Sequence, residues 1–159
     1  DPAALLTAVN EILTGRIGEQ FFTACCVYLD PRRGLARFSS AGHPPALFLR
    51  AGRVEAMKPA GPLAGILPGA HYAAAEVALL PGDRILLYTD GVTECCSAED
   101  EEFGQERLAD TLLAAAALPP DACADHILAT LRAWSNRQGA FEDDVTLVIA
   151  DVSPAALRP

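Results

Sequence analysis

Apolar positions along this chain follow two periods, helical at the start, strand-like through the first half, then helical again. Leu5, Leu6, Val9, Ile12 and Leu13 recur at helical spacing behind Asp1-Pro2, a cap and a first-turn proline, predicting a helix to near Gly15. Core packing accounts for that apolar face. A strand is predicted over 22–30, turning at Asp30-Pro31-Arg32-Arg33-Gly34 into a partner over 35–40. Residues 46–50 and 53–57 flank Ala51-Gly52 as a second hairpin, and 71–79 leads through Pro81-Gly82 into a strand over 84–89. The period then changes. Residues 104–118 are rich in alanine and leucine and read as a helix, broken by Pro119-Pro120. Ala124, Ile127, Leu128, Leu131 and Trp134 form the stripe of a second helix to about Gln138, which Gly139 ends before a last strand over 145–152. Several strands before any long helix predict an antiparallel sheet system and an α+β fold. Residues 1–152 read as one domain, and 153–159 as a frayed tail.

Composition narrows the classes. The chain has 159 residues, 51% of them hydrophobic, which is enough for a real core. A net charge of -9 argues against binding nucleic acid through a basic patch. No apolar run is long enough to cross a bilayer, so no membrane association is expected. The five cysteines lack C-x-x-C spacing and read as reduced thiols of a cytoplasmic protein. Cys95-Cys96 lies close to Asp90, which keeps an oxidation-sensitive switch as the alternative for that pair.

Candidate chemistry gathers at two places. Ile85-Leu86-Leu87-Tyr88 is a continuous apolar run, as in a strand buried on both faces, and it stops at Thr89-Asp90-Gly91. Glu142-Asp143-Asp144 runs straight into Val145-Thr146-Leu147-Val148-Ile149, another β-branched strand. Taken alone, an Asp-Gly pair caps a turn, and an acidic triplet is a solvated loop. If the two strands are antiparallel neighbours, Asp90 and Asp143 sit at one edge of the sheet. Oxygen-only donors of that kind suit Mg²⁺ or Mn²⁺. No G-x-S-x-G elbow or Walker loop offers another chemistry.

YTDGVTE at 88–94 and EDDVTLVI at 142–149 resemble the two C-terminal signatures of the metal-dependent protein phosphatases. The bacterial branch of sporulation and stress-response serine phosphatases (SpoIIE and RsbU-like) is the most similar. Phe22-Thr23-Ala24, Ser40-Ala41-Gly42-His43-Pro44-Pro45 and Gly61-Pro62-Leu63-Ala64-Gly65 resemble it too, in the same order. The resemblance implies a four-layer αββα sandwich of the PP2C type and two-metal hydrolysis of phosphoserine and phosphothreonine. It implies that Asp90 and Asp143 are metal ligands for Mn²⁺ or Mg²⁺, that Asp144 holds a more variable place behind them, and that Gly91 frees the turn. The implied substrate is a phosphorylated anti-anti-sigma regulator of the STAS type in a partner-switching pathway. A homodimer through the parent chain is compatible with it. The family's upstream signatures, G-D-x-x-D and D-V-x-G-H-G, are not found here, so the 159 residues are expected to be an incomplete catalytic domain with little or no activity alone. The competing reading is a non-catalytic partner-binding module on the same fold. His43 reads as a residue that orders its loop by hydrogen bonding, with general acid chemistry as its alternative.

Overall fold

The computed structural model describes residues 1–58, 61–135 and 141–157. The chain forms two compact units, Asp1–Ala46 with Ala56–Pro81 and Val152–Pro159, and Leu47–Glu55 with Gly82–Asp151.

In the first unit, α1 (Pro2–Leu13) begins where the Asp1 carboxylate accepts from the Ala3 and Ala4 amides at 2.9 and 3.2 Å. β1 (Ala24–Asp30), β2 (Leu35–Ala41) and β5 (Ala75–Ala78) form an antiparallel sheet in the order β1-β2-β5. Leu6, Ala41, Ala64 and Tyr72 make the core against α1, with Phe22, Ala24 and Cys26 packed around them. The predicted apolar face of α1 splits. Pro2, Leu6 and Asn10 point inward, whereas Leu5 and Ile12 remain 54% and 55% exposed. A buried polar residue has displaced the aliphatic ones because it serves a loop. The Asn10 side chain donates to Leu67 O and accepts from Gly65 N, both at 2.9 Å, which ties residues 61–70 to the helix. The strand predicted over 71–79 is shorter, since Tyr72 turns into the core and the Ser39 hydroxyl takes Ala73 O. The loop at His43 is ordered by hydrogen bonds. The Ser40 hydroxyl accepts from its amide and donates to its carbonyl, and His43 Nδ1 donates to Pro44 O at 3.0 Å.

In the second unit, β3 (Leu47–Arg50), β4 (Arg53–Ala56), β6 (Arg84–Tyr88) and β7 (Leu147–Asp151) form a sheet in the order β4-β3-β6-β7. Ala51 and Gly52, with φ of 47° and 75°, make the tight turn between β3 and β4. β6 runs antiparallel to both neighbours, and Arg84, Ile85, Leu86 and Tyr88 are buried in it. Among the described residues the unit also holds the helices α2 (Asp90–Thr93), α3 (Gly104–Ala114) and α4 (Pro120–Ser135). The buried line of α4 is Cys123, Ile127 and Leu131, so Cys123 replaces the expected Ala124. Trp134 is half-buried, edge-on to Phe103 at 5.9 Å. The expected helix end at Gln138 and Gly139 lies outside the described residues.

Two arginines fix β6 and its approach. Arg50 grips Asp83, 2% exposed, through two bonds of 2.8 and 2.5 Å. Buried Arg84 pairs with Asp151 through two bonds and donates to Ala115 O and Leu118 O at 3.1 and 2.6 Å, closing the end of α3. That capture explains why α3 stops at Ala114, short of the predicted Leu118. All five cysteines are free.

Candidate functional site

Strand β6 delivers the chain to the site with little freedom. Tyr88 pairs with Leu147 in the β6–β7 ladder, and Thr89 N donates to Thr146 O one step further, at 3.2 Å. Burial pushes the Tyr88 phenol up to about 12, so it remains neutral at physiological pH. Thr89 is extended, with φ -82° and ψ 159°, and Asp90 opens α2 directly after it. On the facing segment, Asp143 lies in a bend and Asp144 follows it, both ahead of β7.

The two acidic segments therefore meet at one edge of the sheet, as the antiparallel reading requires. How close they come is set at Gly91. A β-carbon built there would lie 2.7 Å from Asp144 O and 3.3 Å from Asp143 Cβ. Gly91 sits in α2 and has no left-handed φ. The expectation that it frees a turn is corrected: glycine stands here so that two backbones can touch.

Asp90, Asp143 and Asp144 are exposed. Asp90 Oδ1 accepts from Gly91 N at 3.1 Å, and Asp143 Oδ1 accepts from Asp144 N at 2.7 Å. These local bonds orient both carboxylates and leave lone pairs on each. Among the described residues, no lysine, arginine or histidine pairs with Asp90, Asp143 or Asp144. Exposed carboxylates presented from one edge, with no cation paired to them among the described residues, fit a hard divalent cation. Among the described residues, no three histidine, cysteine or acidic side chains gather into a metal cage.

Sequence reasoning missed Thr89. A threonine before an acidic helix start signals a helix cap, yet its hydroxyl makes no cap bond. It donates to Asp144 O at 2.8 Å and accepts from Thr146 N at 2.9 Å. The loop after α2 is also built rather than merely solvated. Phe103 N closes it on Cys95 O, Trp134 Nε1 donates to Glu101 O, and Arg107 pairs with Glu101 while stacking on Trp134 at 4.2 Å.

Antiparallel sheets flanked by helices, with aspartates at the mouth of a buried strand, belong to the phosphatase domains of the PP2C class. The chain superposes over 96% of its length on 61% of the SiaA-PP2C domain of Pseudomonas aeruginosa, with TM-score 0.85 and 27% identity. It covers 68% of the SpoIIE phosphatase domain from Bacillus subtilis, Mn presoaked, with 97% of its own length, TM-score 0.71 and 19% identity, a likeness of fold. Residues 1–153 match the family Stage II sporulation protein E (SpoIIE), and the chain belongs to it. Protein IcfG of Synechocystis sp. is 34% identical over 87 residues, which are 54% of this chain and 14% of that protein. The chain thus spans less than two thirds of SiaA-PP2C and a small part of IcfG.

Proposed function

We propose that this chain belongs to the catalytic domain of a metal-dependent protein serine/threonine phosphatase, with Asp90 and Asp143 as ligands of Mn²⁺ or Mg²⁺. The observation that supports it most is the meeting, at the β6–β7 edge, of the two segments that carry these exposed carboxylates, with no cation paired to either among the described residues. A divalent ion bound there supplies a coordinated water of lowered pKa and a charge to hold the phosphate. The residues themselves do three things. Asp90 and Asp143 offer oxygens whose directions are set by the Gly91 and Asp144 amides. Gly91 keeps the two segments in contact. Asp144 supports the arrangement through its carbonyl, which takes the Thr89 hydroxyl.

The substrate class we infer is a phosphorylated protein, specifically an anti-anti-sigma regulator with a STAS domain in a bacterial partner-switching pathway. Support for it is membership of the SpoIIE family. The cytoplasm is the proposed location, and five free cysteines accord with a reducing compartment. Assembly as a homodimer belongs to the parent protein. The isolated 159 residues are expected to turn over weakly or not at all, because two carboxylates make half of a two-metal site.

The test is dephosphorylation of a phosphoserine protein by the full-length protein with Mn²⁺, beside a small aryl phosphate. Asp90→Asn and Asp143→Asn should each abolish Mn²⁺-dependent turnover while circular dichroism stays native. Undiminished turnover in both variants refutes the assignment. The absence of a three-ligand cage among the described residues favours a second reading, a docking module without turnover. An inactive full-length wild type that still binds a phosphorylated partner would select it.

A further inference from the structure

We propose that Thr89 is a positioning residue that sets the separation of the two ligand-bearing segments through its hydroxyl. This rests on the reading of Asp90 and Asp143 as metal ligands. Thr89 holds the cap position of α2, where a threonine hydroxyl ordinarily accepts from an amide of the first turn. Here it makes no such bond. The hydroxyl reaches across to the other segment, donating to Asp144 O at 2.8 Å and accepting from Thr146 N at 2.9 Å. One donor and one acceptor are both used, each on a backbone group of the segment that carries Asp143. The Thr89 amide adds a third bond, to Thr146 O at 3.2 Å.

These bonds begin where the regular ladder ends, since Tyr88–Leu147 is the last pair of β6 and β7. The Thr89 side chain thus extends the pairing past the sheet to the residue beside Asp143. It pulls Asp144 O inward while Gly91 permits the approach from α2. An attractive contact and an allowed close contact therefore act on the same carbonyl. Valine at this place would keep the shape of the side chain and lose both bonds. Serine would keep both bonds and lose only a methyl.

Mn²⁺ affinity of the full-length protein, measured by calorimetry, tests the idea without reading turnover. Thr89→Val should weaken Mn²⁺ binding about tenfold or more, as loss of a group that orients a ligand does. Thr89→Ser should restore it, and the metal-free melting temperatures of both variants should stay close to that of wild type. Wild-type affinity in Thr89→Val, or equal loss in Thr89→Val and Thr89→Ser, overturns the proposal. Asp90→Asn separates the two levels. If it too keeps wild-type affinity, the ligand assignment fails; if it loses binding while Thr89→Val does not, only the positioning role fails.

Discussion

Adding one methyl at Gly91 should disable the site at a moderate cost to the fold. The new β-carbon would meet Asp144 O at 2.7 Å, and an ordinary contact of 3.4 Å requires the carbonyl to retreat by about 0.7 Å. That carbonyl is bonded to the Thr89 hydroxyl at 2.8 Å, so the retreat strains or breaks this bond and carries Asp143 away from Asp90. Overpacking of this kind costs about 1–3 kcal/mol. Alanine recovers up to about 1 kcal/mol over glycine inside a helix. The net loss of stability is therefore about 1–2 kcal/mol, read as a shift in a urea transition. Function is far more sensitive, since a displacement of about 1 Å can cost about a hundredfold in rate. Gly91→Ala in the full-length protein should lower Mn²⁺-dependent dephosphorylation by about that factor and weaken Mn²⁺ binding. Wild-type turnover together with wild-type Mn²⁺ affinity would refute the claim that backbone contact at this glycine sets the site.

Arg50→Met should lower stability by about 3 kcal/mol in urea denaturation, because it removes the guanidinium that pairs with the buried Asp83 carboxylate, 2% exposed. Arg37→Met removes the exposed partner of Glu76 and should leave the same transition where it was. Alkali should also destabilise the fold. Burial, then neighbouring Cys26, pushes the Cys25 thiol from 9.0 to about 11, and burial pushes the Tyr88 phenol from 10.0 to about 12. Both groups hold their protons more firmly folded than unfolded. Their contribution is intact below about pH 9 and is lost as pH rises through 11 and 12. Melting temperature should fall over that range, and Cys25→Ala should flatten the first part of the fall.

The outline of the site was legible because strand periodicity and turn chemistry are local. Ile85 to Tyr88 reads as a buried strand from its own composition, and the run after Asp144 reads as another strand; that the two pair antiparallel is only a condition in the sequence and is met by the β6–β7 ladder. What could not be read depends on contacts distant in sequence. Gly91 looks like a turn residue until Asp144 O is seen against it. Thr89 looks like a helix cap until its hydroxyl is seen to bridge to residues 144 and 146. In α1 the same limit appears as Asn10, which the helical pattern gives no reason to bury and which residues 65 and 67 require. Cys123 lies on the buried line of α4 because that helix packs its 123–127–131 row inward, a rotation that alanine-rich periodicity leaves undetermined.

The central claim is that Asp90 and Asp143 together bind a divalent cation. Anomalous scattering from Mn²⁺-soaked crystals of the full-length protein tests it most directly. The account predicts a manganese peak about 2.1 Å from carboxylate oxygens of both residues. A fully occupied manganese site that leaves both side chains uncoordinated would contradict it.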